Sequence, residues 1–309
     1  MSLVRAPLSC PIGQDLRGMV AVMGNLDGVH RGHQALIDEA RKLAGRLGRP
    51  LAAVTFEPHP RRVFNPDAPP FILTPLPAKA ELLEHHGCAH VFALPFNEEL
   101  HRQTPDEFIS GVLHDTLGLA GVVTGKDFQF GKGRSGSSAT LAEIAGHLGM
   151  HYEAIEPVGS KGEKFSSSQA RDALREGRPK DAREILGRDW FVDGEVTEGR
   201  KLARQLGFPT ANIALGDVIR PLYGVYAVRA EVGGETFPAI ANIGIRPTVD
   251  GKEERLEVHL FDWDGDLYGK TLRCHFVDFI REERPMDGLD ALKAQIAADS
   301  DEARRMLGA

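Results

Sequence analysis

Two histidines three residues apart are the first candidates for chemistry in this chain. His30 and His33 end the glycine-rich run 24–33 (GNLDGVHRGH), which follows an apolar run at 19–23. Glycine lets a backbone approach a ligand closely, and the first turn of a following helix offers N–H groups and a positive dipole end that suit phosphate. A histidine on that turn can hydrogen-bond to an oxyanion developing on phosphorus. A surface pair and two ligands of a zinc ion are the alternatives, although no third ligand is obvious nearby.

Residues 125–136 (GKDFQFGKGRSG) form a second polar segment, rich in glycine and basic side chains. The G-x-G-x-x-G spacing at 131–136 is that of dinucleotide-binding turns, but such a turn should follow its strand directly, and several residues intervene here. The same stretch has P-loop spacing with Ser137 in place of the expected lysine. A flexible basic loop over a polyphosphate is the remaining interpretation. Its candidate side chains are Lys126, Lys132 and Arg134.

Residues 164–171 (KFSSSQAR) place hydroxyl groups at the predicted start of a helix. Hydroxyls in that position either cap the helix or bind a phosphate, and Arg171 is close enough in sequence to bind the same anion.

The second half of the chain has its own candidate site at 209–212 (PTAN). Pro209 stiffens the chain just before a hydroxyl and an amide. Thr210 and Asn212 are two residues apart, so they face the same side of an extended segment. Oxygen ligands on one side suit Mg²⁺ carrying a nucleotide. Taken alone, such a segment is more often an ordinary turn.

Strands and helices alternate through the first half, which must position the first three segments. Apolar runs predict strands, and helical spacing of apolar residues predicts the helices between them. The predicted strands are 19–23, 51–56, 90–94, 121–124 and 152–155; the predicted helices are 32–47, 77–86, 105–117 and 137–148. This order predicts an α/β domain, a parallel sheet with helices on both faces and its ligand at the carboxyl ends of the strands.

The pattern changes near residue 187. Two short helices are predicted at 168–175 and 179–186, and closely spaced strands follow. These strands are 191–197, 224–231, 236–244, 255–261 and 271–280, before a helix at 289–307. Such strands predict a small antiparallel barrel or sandwich with a C-terminal helix. We therefore predict two domains, 1–186 and 187–309.

Composition supports a globular protein of two domains. The 309 residues are 42% apolar and 26% charged, and the net charge is −7. This balance disfavours nonspecific binding to nucleic acid or membranes, and no stable protein partner is implied. No apolar run is long enough to span a bilayer, and residues 1–18 lack an export-signal pattern. Three cysteines far apart in sequence form neither a metal pair nor a disulfide framework, so we predict a cytoplasmic protein.

Taken together, the motifs resemble those of bacterial bifunctional riboflavin kinase/FAD synthetases. In the first half, GxxDGVHxGH at 24–33, TFEPHP at 55–60, GxDFxFG at 125–131 and SSSxxR at 166–171 resemble the FMN adenylyltransferase module. In the second half, PTAN at 209–212, YGVY at 223–226, ANIGxRPT at 241–248, LEVHL at 256–260, DLYGK at 266–270 and FIRxE at 279–283 resemble the riboflavin kinase module, a small antiparallel barrel. The resemblance covers nearly the whole chain. It implies a Rossmann-like nucleotidyltransferase domain followed by that barrel.

For the first module, the resemblance implies that His30 and His33 stabilise charge on the α-phosphate of ATP. The expected adenine-nucleotide pocket is shaped by Gly24, Asp27 and Gly28. The expected ligands of phosphate or metal are Asp127, Ser167, Ser168 and Arg171, together with Arg134 of the basic loop. The expected lining of the isoalloxazine pocket is Pro58, Pro60 and Phe64. Three departures from the family pattern are mild, at Leu26, Ser168 and Ala170.

For the second module, the resemblance implies that Thr210 and Asn212 bind the metal and the ATP phosphates, with Gly207 beside them. It also implies that Glu257 is the base, since phosphoryl transfer needs one group to take the hydroxyl proton. His259 shares a strand face with Glu257, where support and plain packing are equally open roles. Ala203 departs from the family, which usually has glycine there; if the backbone needs a positive φ, alanine costs about 1 kcal/mol. A weaker kinase is then expected.

The function predicted from these motifs is bifunctional. ATP would phosphorylate riboflavin to FMN, and AMP from a second ATP would then be transferred to FMN, giving FAD and pyrophosphate. Mg²⁺ is the implied cofactor and ATP the co-substrate. Two rivals are an adenylyltransferase whose barrel only binds flavin and a flavin-responsive carrier without turnover.

Overall fold

The computed structural model describes residues 2–160, 162–197, 208–248 and 251–309. The chain divides into two compact units: the described residues up to Pro69 with Thr74–Ser166, and Pro70–Leu73 with the described residues from Ser167 onward. The division at residue 166 precedes the predicted domain boundary, because the two short helices expected before residue 187 group with the second unit. The boundary at 186/187 stays a prediction about the functional domains.

The first unit is built on a parallel sheet of six strands. They are β1 (Ser2–Arg5), β2 (Val20–Met23), β3 (Leu51–Glu57), β4 (His90–Pro95), β5 (Gly121–Gly125) and β6 (His151–Ile155). The strand order is β1-β4-β3-β2-β5-β6, and every pair is parallel. After β2 the chain adds β3 and β4 on one side of β2, and it then adds β5 on the other side. In such sheets a ligand crevice opens where the strand order reverses in this way, which here is between β2 and β5.

Helices cover both faces of this sheet, as the alternating pattern predicts. They are α1 (Arg31–Leu47), α2 (Pro60–Phe64), α3 (Leu76–His85), α4 (Glu98–His101), α5 (Glu107–Thr116) and α6 (Ser138–His147). Alternate residues of β2 enter opposite cores: Val20 and Val22 pack with α1 and α3, whereas Ala21 and Met23 pack with α5 and α6. Helix α5 has π-type hydrogen bonds, since the Leu117 N–H donates to the Val112 carbonyl five residues earlier at 2.9 Å. A short hairpin, β7 (Gly159–Ser160) and β8 (Glu163–Lys164), ends the unit.

The second unit is a nearly closed antiparallel barrel. After α7 (Ser167–Arg175) and α8 (Pro179–Leu186) come β9 (Trp190–Glu195), β10 (Ala211–Ala214), β11 (Gly224–Val232), β12 (Glu235–Thr248), β13 (Gly251–Leu260) and β14 (Thr271–Glu282). Their order is β10-β13-β12-β11-β14-β9. The edges meet where the Thr197 N–H donates to the Asn212 carbonyl at 2.9 Å. The predicted barrel is confirmed.

The C-terminal helix α9 (Leu289–Leu307) packs on the outer face of the barrel. There, Ala303 joins Val225, Ala227, Ile240 and Phe261 in a small apolar cluster. No helix in the described ranges is both long and apolar enough to cross a membrane.

The three cysteines are unpaired thiols. Cys88 and Cys274 are buried and Cys10 is exposed. Burial raises the pKa of Cys88 to about 12, so this thiol is a poor nucleophile.

Trp190 connects the barrel core to the segment 70–73. Its side chain is 1% exposed, and its indole Nε1 donates to the Leu73 carbonyl at 3.0 Å. We expect Trp190→Phe to lower the free energy of unfolding by about 2 kcal/mol, because a buried carbonyl loses its donor. Urea denaturation followed by far-UV circular dichroism measures this loss.

The matched control is Trp263→Phe. The Trp263 indole donates to the Gly265 carbonyl, two residues away at 3.0 Å, and the side chain is half-buried. We expect a loss below about 1 kcal/mol there. Equal losses in the two variants would contradict the role given to the Leu73 contact.

Candidate active sites

The turn between β2 and α1 has an unusual backbone. Leu26, Gly28 and Val29 have φ angles of 50°, 84° and 41°. Positive φ is easy for glycine but costly for a bulky or β-branched side chain. Leu26 and Val29 are both fully buried in the core under α1 and α3, which offsets that cost. The turn is therefore held in one shape by its own apolar side chains.

The predicted histidine pair comes together at the end of this turn. His30 is the residue that caps α1, and its Nδ1 accepts the His33 backbone N–H at 3.3 Å. The two rings stack with their centroids 3.6 Å apart. Because Nδ1 accepts, the neutral His30 ring carries its proton on Nε2 and can donate it. A Cβ on Gly32 would lie 3.0 Å from His30 Cε1, which explains the glycine between the histidines.

Asp27 belongs to the same turn, and its side chain is buried. The carboxylate is 1% exposed, and Oδ1 accepts the Thr74 backbone N–H at 3.0 Å. Close to it is Lys79, a buried residue of α3 that sequence reasoning missed. Its position three residues after Leu76 and four before Leu83, on the apolar side of α3, is a signal that could have identified it.

The basic loop and the serine-rich segment meet within the first unit. Asp127 Oδ2 pairs with Lys164 Nζ at 2.8 Å, and both side chains are exposed. Backbone hydrogen bonds between Phe130 and Gly136 close the loop around Arg134, whose side chain is exposed. A Cβ on Gly136 would lie 2.8 Å from the Phe130 ring, so this glycine is required by packing rather than by a dinucleotide.

The predicted flavin-binding residues lie after β3. Pro58 is exposed, and Pro60 begins α2. Phe64 ends that helix with 66% of its surface exposed. Its ring meets those of Phe96 and His101 edge-on, with centroids 5.7 and 5.5 Å away. Those two neighbours come from a distant part of the chain and were not predicted.

Three residues predicted to hold phosphate belong to the second compact unit. Ser167 and Ser168 begin α7; Ser167 is half-buried and Ser168 is exposed. Arg171 is 7% exposed; its Nε donates to the Phe71 carbonyl at 2.7 Å, and its guanidinium lies 5.5 Å from the Phe71 ring centroid. Gly207 and Ala203 lie outside the described residues.

Strand pairing in the barrel creates a row of polar side chains. Asn212 of β10 pairs with Glu257 of β13, which pairs with Asn242 of β12. Directly paired residues project to the same face, here the outer face of the barrel. Next to Asn242 the apolar Val225 of β11 interrupts the polar row, and Arg281 of β14 pairs with Val225 on its other side. All five residues line one cavity of about 1280 Å³.

Further hydrogen bonds fix the ends of this polar row. Glu257 and Asn212 are 8% and 5% exposed. The Asn212 Nδ2 donates to the Thr210 carbonyl at 3.4 Å, and the Asn242 Nδ2 donates to Glu283 Oε1 at 2.9 Å. The predicted Thr210, Asn212 and Glu257 therefore line one cavity. Asn242 and Glu283 line it too; both belong to motifs quoted from the sequence, at 241–248 and 279–283, but no role was predicted for either.

His259 links β13 to the segment before Thr210. Its Nδ1 lies 2.8 Å from the Pro209 carbonyl oxygen. Since a carbonyl can only accept, Nδ1 carries the proton. Burial lowers the pKa of His259 below its usual 6.5. The ring also meets Phe208 and Phe261 edge-on, so support and packing both describe its contacts.

Known protein families match both halves of the chain. A family model described as FAD synthetase matches residues 12–169, and one described as riboflavin kinase matches 186–307. A bifunctional riboflavin kinase/FMN adenylyltransferase of Pseudomonas fluorescens is 43% identical over 94% of this chain and 93% of its own length. The protein of that name from Escherichia coli K12 is 37% identical over the same shares.

A solved structure extends the likeness to the fold. A protein from Streptococcus pneumoniae, described as a macrolide-efflux protein, is 29% identical. The match covers 96% of this chain and 99% of that one, with a TM-score of 0.85. That name differs from the names of the sequence relatives, and the likeness carries the fold alone.

The His259 geometry predicts one tautomer. We expect nitrogen NMR of the imidazole to show Nδ1 protonated and Nε2 bare at pH 7, with titration below pH 6.5 because burial disfavours the cation. The unfolded chain then binds more protons than the native one below pH 6.5, so this residue stabilises the fold above that pH and less as pH falls through the native pKa. A neutral ring protonated on Nε2 would contradict the contact to Pro209.

Proposed function

Because this chain belongs to the bifunctional riboflavin kinase/FMN adenylyltransferase family, we propose that its two reactions use the two constellations described above. The family's activities are the phosphorylation of riboflavin by ATP, giving FMN, and the transfer of AMP from ATP to FMN, giving FAD and pyrophosphate. These are also the two activities of this chain. The proposal concerns the residues that perform them.

The stacked His30–His33 pair at the start of α1 supports adenylyl transfer at the first site. A phosphate oxygen of FMN attacks the α-phosphorus of ATP, and the bond to pyrophosphate breaks. Negative charge grows on the α-phosphate oxygens in the transition state. We propose that the His30 Nε2–H, the His33 ring and the first N–H groups of α1 stabilise that charge.

The remaining predicted residues of this reaction keep their proposed roles. Gly24, Asp27 and Gly28 would shape the adenine-nucleotide pocket. Pro58, Pro60 and Phe64 would hold the flavin ring, a role that the exposed aromatic surface of Phe64 suits. Asp127, Arg134, Ser167, Ser168 and Arg171 would bind phosphate or metal.

The polar row of the barrel supports phosphoryl transfer at the second site. Glu257 would accept the proton of the riboflavin hydroxyl as that oxygen attacks the γ-phosphorus of ATP and the bond from that phosphorus to ADP breaks. Its place between Asn212 and Asn242 sets it beside the residues proposed for the nucleotide. Gly207 would contribute its backbone to the same nucleotide site.

Mg²⁺ is the metal that this chemistry implies. The Asn212 Nδ2 donates to the Thr210 carbonyl, so its Oδ1 lies on the opposite side of the amide group. Amide and hydroxyl oxygens are ligands that Mg²⁺ prefers. Thr210 and Asn212 would hold Mg²⁺ together with ATP, and the ion would neutralise phosphate charge. A cytoplasmic location is proposed because both reactions consume ATP and the cysteines are unpaired thiols.

The first site is tested by removing both histidines. We expect the double variant His30→Ala, His33→Ala to lose FAD formation by at least about 100-fold, since two groups that stabilise transition-state charge are gone. FMN formation should stay within about 2-fold. Chromatography of flavins after incubation with ATP, Mg²⁺ and either riboflavin or FMN measures both rates.

The matched control is His85→Ala with His86→Ala, another pair of histidines with rings in contact, at the end of α3. Both rates should be unchanged in that variant. Equal loss of the two activities in a folded His30→Ala, His33→Ala protein would contradict the division between sites.

The second site is tested by Glu257→Gln. This change keeps the shape of the side chain and removes its basicity, so FMN formation should fall by about 100-fold or more. Supplied FMN should still be converted to FAD at the normal rate. Glu235→Gln, an exposed glutamate at the start of β12, is the matched control and should leave both rates unchanged. Unchanged phosphorylation in Glu257→Gln would dismiss Glu257 as the base.

A further inference from the structure

Lys79 is a buried lysine for which neither reaction has yet provided a role. The side chain is 3% exposed, although lysine is almost never fully buried unless it is paired. It projects from α3 into the core beneath the turn between β2 and α1. A methionine would fill the same space without the cost of burying an amine. The nitrogen atom itself therefore needs an explanation.

Two side-chain donors converge on one backbone oxygen at this place. Lys79 Nζ donates to the Asn25 carbonyl at 2.9 Å, and the Thr55 Oγ1 donates to the same oxygen at 3.0 Å. Lys79 Nζ also lies 3.5 Å from Thr55 Oγ1. Burial lowers the pKa of Lys79, against the opposing charges of Asp27 and Glu57. An amine donates hydrogen bonds whether charged or neutral, so the contact to Asn25 survives in either state.

The Asn25 carbonyl belongs to the strained turn that leads to His30. A peptide group is rigid, so fixing this carbonyl also fixes the N–H of Leu26, the first residue with positive φ. Strained backbone persists only where its surroundings over-determine it. The other end of the turn is fixed by Gln34, whose Nε2 donates to the Val29 carbonyl at 2.9 Å. Lys79 and Thr55 thus hold the start of the turn, and Gln34 holds its end.

We propose that Lys79 is a positioning residue for adenylyl transfer, which holds the 25–29 turn through the Asn25 carbonyl so that His30 and the first N–H groups of α1 face the nucleotide. This inference rests on the proposed function of the first site. Lys79 itself touches no reacting atom in it. A turn released at Asn25 presents its donors in several orientations, and binding of ATP then has to order them.

The test is Lys79→Met, with kinetics of FAD formation from FMN. We expect kcat/KM for ATP to fall about 10- to 100-fold, with a raised KM for ATP and a KM for FMN within about 3-fold of normal. A purely structural role would reduce the amount of active enzyme and leave the KM for ATP unchanged. Riboflavin phosphorylation by the same sample reports that the second unit is intact, and far-UV circular dichroism reports that the first unit is folded. Lys42→Met, an exposed lysine of α1 paired with Glu39, is the matched control and should change nothing.

Thr55→Val removes the second donor to the same oxygen. We expect a smaller rise in the KM for ATP, and a double variant with Lys79→Met less impaired than the product of the two single effects, because both act on one carbonyl. If Lys79→Met does not fold, Thr55→Val carries the test, and an unchanged KM for ATP there overturns the proposal.

The outcomes separate this proposal from the site assignment. A normal KM for ATP in folded Lys79→Met, beside a strong loss in the variant lacking His30 and His33, overturns the role of Lys79 and leaves the site standing. Undiminished FAD formation without the two histidines overturns the site and the Lys79 role together.

Discussion

Three positive φ angles in five residues are the constraint on which the first site depends. Leu26, Gly28 and Val29 have these angles, and they lie in the turn that leads from β2 to α1. The shape of this turn sets where α1 begins and where His30 and His33 lie. Only glycine adopts such angles without cost. Leu26 and Val29 keep their positive φ angles because both side chains are fully buried. Side-chain hydrogen bonds to the backbone carbonyls at both ends of the turn also fix it. Apolar burial and buried hydrogen bonds are therefore both part of the site.

The second site depends on strand register instead of strain. Glu257 is placed by its pairing with Asn212 on one side and Asn242 on the other. A shift of one residue in either pair would move the carboxylate to the opposite face of the barrel, where Leu256 and Val258 now pack in the core. The apolar neighbours of Glu257 thus specify its position. The same alternation turns Asn212 and Asn242 outward with it.

Much of this arrangement can be predicted from sequence, because the patterns involved are local. Apolar periodicity predicts β2, α1 and five of the six barrel strands to within about four residues, but it misses β10. The spacing of His30 and His33 predicts their meeting on one helical turn. What escaped prediction depends on distant partners. Strand β1 has four residues and no distinctive period, and it exists because β4 pairs with it. The position of Lys79 on the apolar side of α3 signals burial, but its partners Asn25 and Thr55 come from distant parts of the chain. Likewise, Glu283 reaches Asn242 only because β12 and β14 flank β11.

The residue types at the two sites follow from the state of each attacking oxygen. The second ionisation of a phosphate monoester has a pKa of about 6, so near neutral pH the FMN phosphate is already largely a dianion and needs no base to become a nucleophile. The help it requires is stabilisation of charge on the α-phosphate, which N–H donors and imidazole rings at a helix start can give. A riboflavin hydroxyl keeps its proton at that pH, so its attack needs a carboxylate to take the proton. A glutamate on a rigid strand is suited to that task, whereas a carboxylate directly beside the attacking FMN phosphate would repel it. The two chemistries therefore call for two separately built sites, and the roles proposed above place donors at one and a base at the other.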